Sequence, residues 1–168
     1  MGFAARTLFK RTRRLQLTIQ QAEKQISDFY APLVFLLLRL DSIYETKMKI
    51  EDGKPNSVPK LDEVAYKEYF LPTHNEIAEL LKTKIHLLEG SVIPESLLAY
   101  VRHFTSENIA WRLAAENIHV WERVEGFPSE FFEELKKDRE IVYKRYESAL
   151  RELRHGVLGV HVFRRSGT

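Results

Sequence analysis

Two Glu-x-x-His pairs, Glu116 with His119 and Glu152 with His155, are the spacing in this chain that most directly suggests chemistry. Residues three apart share a helix face. Two such pairs on facing helices, joined by one Glu from each of two other helices, hold carboxylate-bridged di-iron centres. With six His and 19 Glu among 168 residues, composition alone produces the pattern. Glu152 and His155 fall beside the apolar stripe of Tyr146, Ala149 and Leu153, and Glu116 and His119 lie near an expected helix end. They read as solvated surface pairs, and no metal or other cofactor is expected.

A second constellation follows Pro72. His74, Asn75 and Glu76 come directly after it, and a proline inside a helix frees backbone groups. A helix kinked there brings His74, Asn75, Glu89 and His103 into one polar pocket, with His and carboxylate as an acid–base pair. The alternative is that Asn75 and the two histidines cap helix ends. A Tyr row at helical spacing is usually core or groove lining, but Tyr143 and Tyr66 fall off the apolar rows and are the candidates for exposed partner contacts.

The third feature is a cluster of cations. Arg6, Lys10, Arg11, Arg13 and Arg14 are interleaved with Phe3, Leu8, Phe9 and Leu15, and residues 1–22 hold no acid. The chain totals 26 bases and 24 acids, a net of +2. Two more bases, Arg164 and Arg165, lie in 156–168, so the body 23–155 keeps 19 bases against 24 acids, a net of −5. A nucleic-acid binder would carry its basic face across the folded domain, so nucleic acid is not the expected partner. An anionic membrane surface or an acidic protein suits a short basic arm better. Cations also sit badly at a helix N-terminus, which favours something anionic meeting them.

Several classes are excluded. Zero Cys removes disulfides, thiol catalysis, Fe–S clusters and Cys-type zinc sites. Gly at 2, 53, 90, 126, 156, 159 and 167 matches no phosphate loop, dinucleotide turn or nucleophile elbow. The longest apolar run, residues 31–38, falls far short of the ~20 needed to cross a bilayer. No secretory signal is visible in the basic opening, so an intracellular location is expected, with an organellar presequence as the alternative.

The elements that must position these residues are helical. Apolar residues repeat every seven positions at Leu15, Ala22, Phe29, Leu36, Ile43 and Ile50, with a second row at Ile19, Ile26, Leu33 and Leu40, as along one face of a coiled coil. This predicts one long helix over about 6–49, kinked near Asp28 because Pro32 cannot donate to its carbonyl. Residues 51–60 form the linker. Asp62 is the expected N-cap of a second helix, broken at Pro72 and restarted by a Thr73/Glu76 capping box, and ended by Gly90. Pro94 opens a third, with 117–127 as its end or an ordered loop. Pro128 and Ser129 open a fourth, capped by Gly156. The fold class is all-α: a four-helix up-and-down bundle over 23–155, with a basic amphipathic arm at 1–22 continuing into the long first helix and an extended basic tail at 156–168.

Phe29-Tyr30-x-Pro32-Leu33, Phe70-Leu71-Pro72-x-His74-Asn75, Leu87-Leu88-Glu89-Gly90 with Ile93-Pro94-Glu95, His103, and Phe127-Pro128 together resemble an uncharacterised family of small helical-bundle proteins. Several of its members carry a membrane helix ahead of the bundle. The resemblance implies an all-helical domain with no assigned activity. This chain has a basic amphipathic start where those members have a hydrophobic span.

A helix over 6–49 extends ~66 Å, about 25 Å beyond a partner of 27 residues. Leu15, Ile19, Ala22 and Ile26 would then lack cover within the chain. The expected function is a non-enzymatic binding or assembly subunit that uses Arg6, Lys10, Arg11, Arg13, Arg14, Leu15 and Ile19 to meet a protein partner, a second copy or an anionic membrane surface. A metal-dependent or acid–base enzyme and a helical ligand-sensing module are the alternatives.

Overall fold

The computed structural model describes the backbone of residues 3–53, 58–90 and 92–165, with side chains over 6–53, 60–90 and 92–155. The first helix, α1 (3–53), is α-helical over Phe3–Gln25, widens into a π turn over Ile26–Tyr30 and resumes as Ala31–Gly53. Pro32 has no N–H for the Asp28 carbonyl, and the π turn absorbs the mismatch: Ala31 N–H reaches back five residues to the Ile26 carbonyl. The disturbance expected near Asp28 is therefore a π turn, and the helix does not break.

The same device recurs in α2 (58–87), which runs as Val58–Val64, a π turn Ala65–Phe70, Leu71–Lys84 and a 3-10 turn Ile85–Leu87. The expected break and restart at Pro72 do not occur. With the missing N–H absorbed by the π turn, no new helix end needs a cap. The Thr73 hydroxyl instead donates to the Tyr69 carbonyl at 2.8 Å. Asp62 likewise is no N-cap; it lies inside the helix and pairs with Lys47 at 2.8 Å. Gly90, at φ +90°, turns the chain toward the third helix.

Helix α3 (Glu95–Ala114) ends in a left-handed closure. Asn117, at φ 61°, lets Ile118 N–H donate to the Leu113 carbonyl at 2.9 Å and its own N–H to Ala114 at 3.0 Å. A loop with a 3-10 turn at Trp121–Arg123 follows, and α4 is Ser129–Arg165. Gly156 does not cap α4. A glycine inside a helix costs only ~1 kcal/mol against alanine, and the backbone stays helical through it. The rest of the expected extended tail, 166–168, lies outside the described residues, as do the side chains from 156 on.

The four helices pack with neighbours antiparallel. Residues 39 and 47 of α1 meet 76 and 62 of α2. Residues 66 and 74 of α2 meet 111 and 100 of α3, and 96 and 100 of α3 meet 134 and 131 of α4. Residues 11 and 25 of α1 meet 152 and 145 of α4. The core is built from Phe29, Tyr30, Leu33, Leu37, Ile77, Leu97, Tyr100, Phe131, Leu135 and Val142. The expectation that the start of α1 lacks cover is corrected here. Helix α4, 37 residues and so ~56 Å long, runs back along it, burying Ile19 and Ala22 against the side that carries Val142 and Ala149.

Candidate functional site

The π turn in α2 sets up the site. In an unbroken α-helix Tyr66 and His74, eight residues apart, would point ~80° away from each other. Widening the turn between them lets both face one half-open cavity of about 890 Å³, lined by α1, α2, α3, the start of α4 and the 118–128 loop. Its wall is mainly apolar and aromatic, with Leu40, Tyr66, Phe70, Trp111 and Phe132 prominent, and Tyr44, Trp121 and Phe127 stand exposed among its lining. Tyr66 stacks on Trp111, centroids 4.5 Å apart, and Trp121 meets Trp111 edge-on at 5.1 Å. Tyr66, expected as an exposed partner contact, is thus buried. Tyr143 is half-exposed beneath the Arg139 guanidinium.

Polar side chains interrupt the apolar wall, among them Asp41, Lys47, Asp62, His119 and Glu133, and one cluster of them centres on the buried His74. His74 Nε2 lies 3.6 Å from Glu107 Oε2, and His103 Nε2 lies 4.0 Å from the same oxygen. The side chains are 3%, 12% and 22% exposed for His74, His103 and Glu107. His103 Nδ1 donates to the Glu125 carbonyl at 2.6 Å; a carbonyl only accepts, so in the neutral ring Nε2 keeps its lone pair. His74 Nδ1 shares a 2.8 Å hydrogen bond with the buried Tyr100 hydroxyl. Burial, reinforced by His103, pulls the His74 imidazole down to about 4. Burial pushes the Glu107 carboxyl up, opposed by His103. Burial and then the nearby Glu107 charge raise the hydroxyls of Tyr66 and Tyr100. Glu107 Oε2 and Tyr66 Oη are buried and have no hydrogen-bond partner among the described residues.

The structure brings His74 and His103 together and separates Asn75 and Glu89, the other two residues of the candidate pocket, from them. Asn75 is exposed. Glu89 belongs to a different network: Arg145 donates to its two oxygens at 2.7 and 3.0 Å and to Gln25 Oε1 at 2.5 Å. Gln25 Nε2 donates to the Leu87 carbonyl at 2.9 Å, and Glu89 N–H donates to Tyr30 Oη at 2.8 Å. Burial, opposed by that N–H, pushes the Tyr30 hydroxyl up to about 12. Sequence reasoning missed Glu107. Its signal was present, since it lies four residues after His103 and so on the same face of α3.

The Glu-x-x-His pairs build no shared site. Glu116 and His119 lie exposed beyond the end of α3, not on a helix. Glu152 pairs with Arg11, and His155 is exposed. Arg6, Lys10, Arg11, Arg13 and Arg14 are exposed on α1, while Leu15 is half-buried and Ile19 buried against α4. Comparison with protein-family models, with curated proteins and with solved structures finds no significant match to this chain. The molecule is a small all-helical protein, and among its described residues no helix is long and apolar enough to cross a membrane.

Proposed function

We propose that the protein is a helical ligand-binding module whose cavity takes an apolar molecule of moderate size carrying one hydrogen-bonding head. One observation carries this reading: a cavity of about 890 Å³, within the range of small-molecule sites, holds in its aromatic wall two buried polar atoms with no hydrogen-bond partner among the described residues. Buried polar atoms normally have partners, so Tyr66 Oη and Glu107 Oε2 are natural contacts for the head of a guest. Trp111 and Trp121, the two tryptophans of the chain, both line the cavity and report its occupancy. Titration with decanol or decanoate should change their fluorescence saturably at one molecule per chain. Ala114→Phe, which fills part of the cavity, should weaken binding at least ~10-fold without lowering the melting temperature. A non-saturating response, or equal binding by the filled variant, would sink the reading.

A second reading, a binding or assembly subunit working through the basic side of α1, is favoured by a separate observation. Phe9 is 68% exposed, and Leu8 and Leu17 are also exposed, amid Arg6, Lys10, Arg13 and Arg14, for which no ion pair is seen among the described residues. Apolar and cationic side chains mixed on one helix suit an anionic membrane surface or an acidic protein. Co-sedimentation with phosphatidylserine vesicles, lost at high salt and absent with phosphatidylcholine, is the expected result. No sedimentation, together with a monomer in solution, would remove this reading. The family resemblance adds no activity to either.

A further inference from the structure

We infer that His74, His103 and Glu107 form a mononuclear site for a divalent first-row transition ion, with its remaining coordination positions facing the cavity. The donors come from two helices, and all three lie within 4.8 Å of one another. An ion with ~2.1 Å bonds holds its donors ~3.0–3.5 Å apart. The His74–Glu107 pair, at 3.6 Å, already has nearly that separation, and the His103–Glu107 pair, at 4.0 Å, needs a shift of well under an ångström.

Two features mark the cluster as built for an ion rather than as a chance meeting of polar side chains. Glu107 Oε2 is buried without a partner, and an ion would satisfy it. Each imidazole is fixed through Nδ1, His103 by the Glu125 carbonyl and His74 by the Tyr100 hydroxyl, which turns Nε2 toward Glu107 in both cases. Outer partners of this kind orient metal-bound histidines and set their tautomer.

Two imidazoles and one carboxylate select zinc, iron or a neighbouring ion over calcium and magnesium, which take oxygen donors. A bound ion would offer its open positions to a carboxylate, hydroxyl or water in the cavity. The inference does not depend on an apolar guest being bound there.

The test uses the full-length, tag-free protein stripped with chelator. Calorimetric titration should show one Zn²⁺ per chain, and Co²⁺ should give visible d–d bands that Zn²⁺ abolishes. Glu107→Gln and His103→Gln should each weaken Zn²⁺ binding ~100-fold or more, and Tyr100→Phe ~10-fold. His155→Gln should leave it unchanged. Circular dichroism and melting of the metal-free variants show that they are folded; Glu107→Gln loses an unpartnered carboxylate and should melt no lower than the parent. Absence of saturable one-to-one binding by the parent, or Zn²⁺ affinity retained in folded Glu107→Gln, would overturn the site. Decanol binding by the metal-free protein is read separately, so failure of one reading leaves the other standing.

Discussion

Asp138 sits half-buried on α4, and burial first, then the charges of Glu89 and Glu134, hold its carboxyl above the ordinary carboxylate range. A carboxyl whose folded pKa is raised favours folding below its unfolded value, and that contribution is lost as pH rises through the raised value. Asp138→Asn should therefore stabilise the protein at pH 7, by less than ~1 kcal/mol because solvent screens the site, and the gain should vanish below about pH 4. Thermal unfolding at both pH values checks it; an equal gain at low pH contradicts the assignment. The Glu89 carboxylate, by contrast, is met by a two-pronged Arg145. Glu89→Ala leaves the half-buried Arg145 guanidinium and Gln25 Nε2 short of partners and should cost ~2–3 kcal/mol in urea denaturation. At this scale His74 and His103 were legible in the sequence because Pro72 and the helical period drew attention to them. Glu107 and Tyr66 were not, because their roles depend on which neighbouring helix faces them. Glu89 was misplaced for the same reason: its partners, Gln25 and Arg145, lie 64 and 56 residues away in the chain.

Each of the two prolines beyond the first turn of a long helix, Pro32 and Pro72, is preceded by a π turn, at Ile26–Tyr30 and at Ala65–Phe70. A widened turn absorbs a missing donor at less cost than a broken helix, provided the wider backbone is packed, and Phe29, Tyr30, Ala65 and Tyr66 are all buried. Thr73 adds to this in α2, where its fully buried hydroxyl bonds the Tyr69 carbonyl. Thr73→Val keeps the shape and removes that bond, so it should cost ~1 kcal/mol, with a larger loss if the π turn collapses. Ala22 marks the close approach of α1 and α4 and has no exposed surface. Ala22→Leu should destabilise by ~1–3 kcal/mol through overpacking; a neutral result would mean that the two helices do not pack there. The apolar rows foretold α1 and its phase, and the disturbance at Asp28 followed from Pro32 alone. The continuity of α2 through Pro72 did not, because a π turn and a break leave the same local signature.

Across the whole molecule, α1 and α4 overrun α2 and α3 together, and each covers the other's excess length. The part of the molecule around the cavity is held by all four helices, whereas the other end is held by an antiparallel pair. Ile19→Asp, placing a charge in that pair, should raise hydrogen-exchange rates over about 6–22 and 146–155 while leaving 66–81 and 97–111 protected. Uniform loss of protection would show that the two ends unfold as one unit. The sequence by itself determined the helical class, the number of helices, the phase of their apolar faces and the uneven charge, because periodicity, proline and charge act locally. Only the tertiary structure decided that α4 packs along the apolar side of the first helix's start, that Tyr66 and Glu107 face a cavity, and that Glu89 belongs to Arg145. Those outcomes depend on the lengths and rotations of helices relative to one another, and those follow from how the core packs.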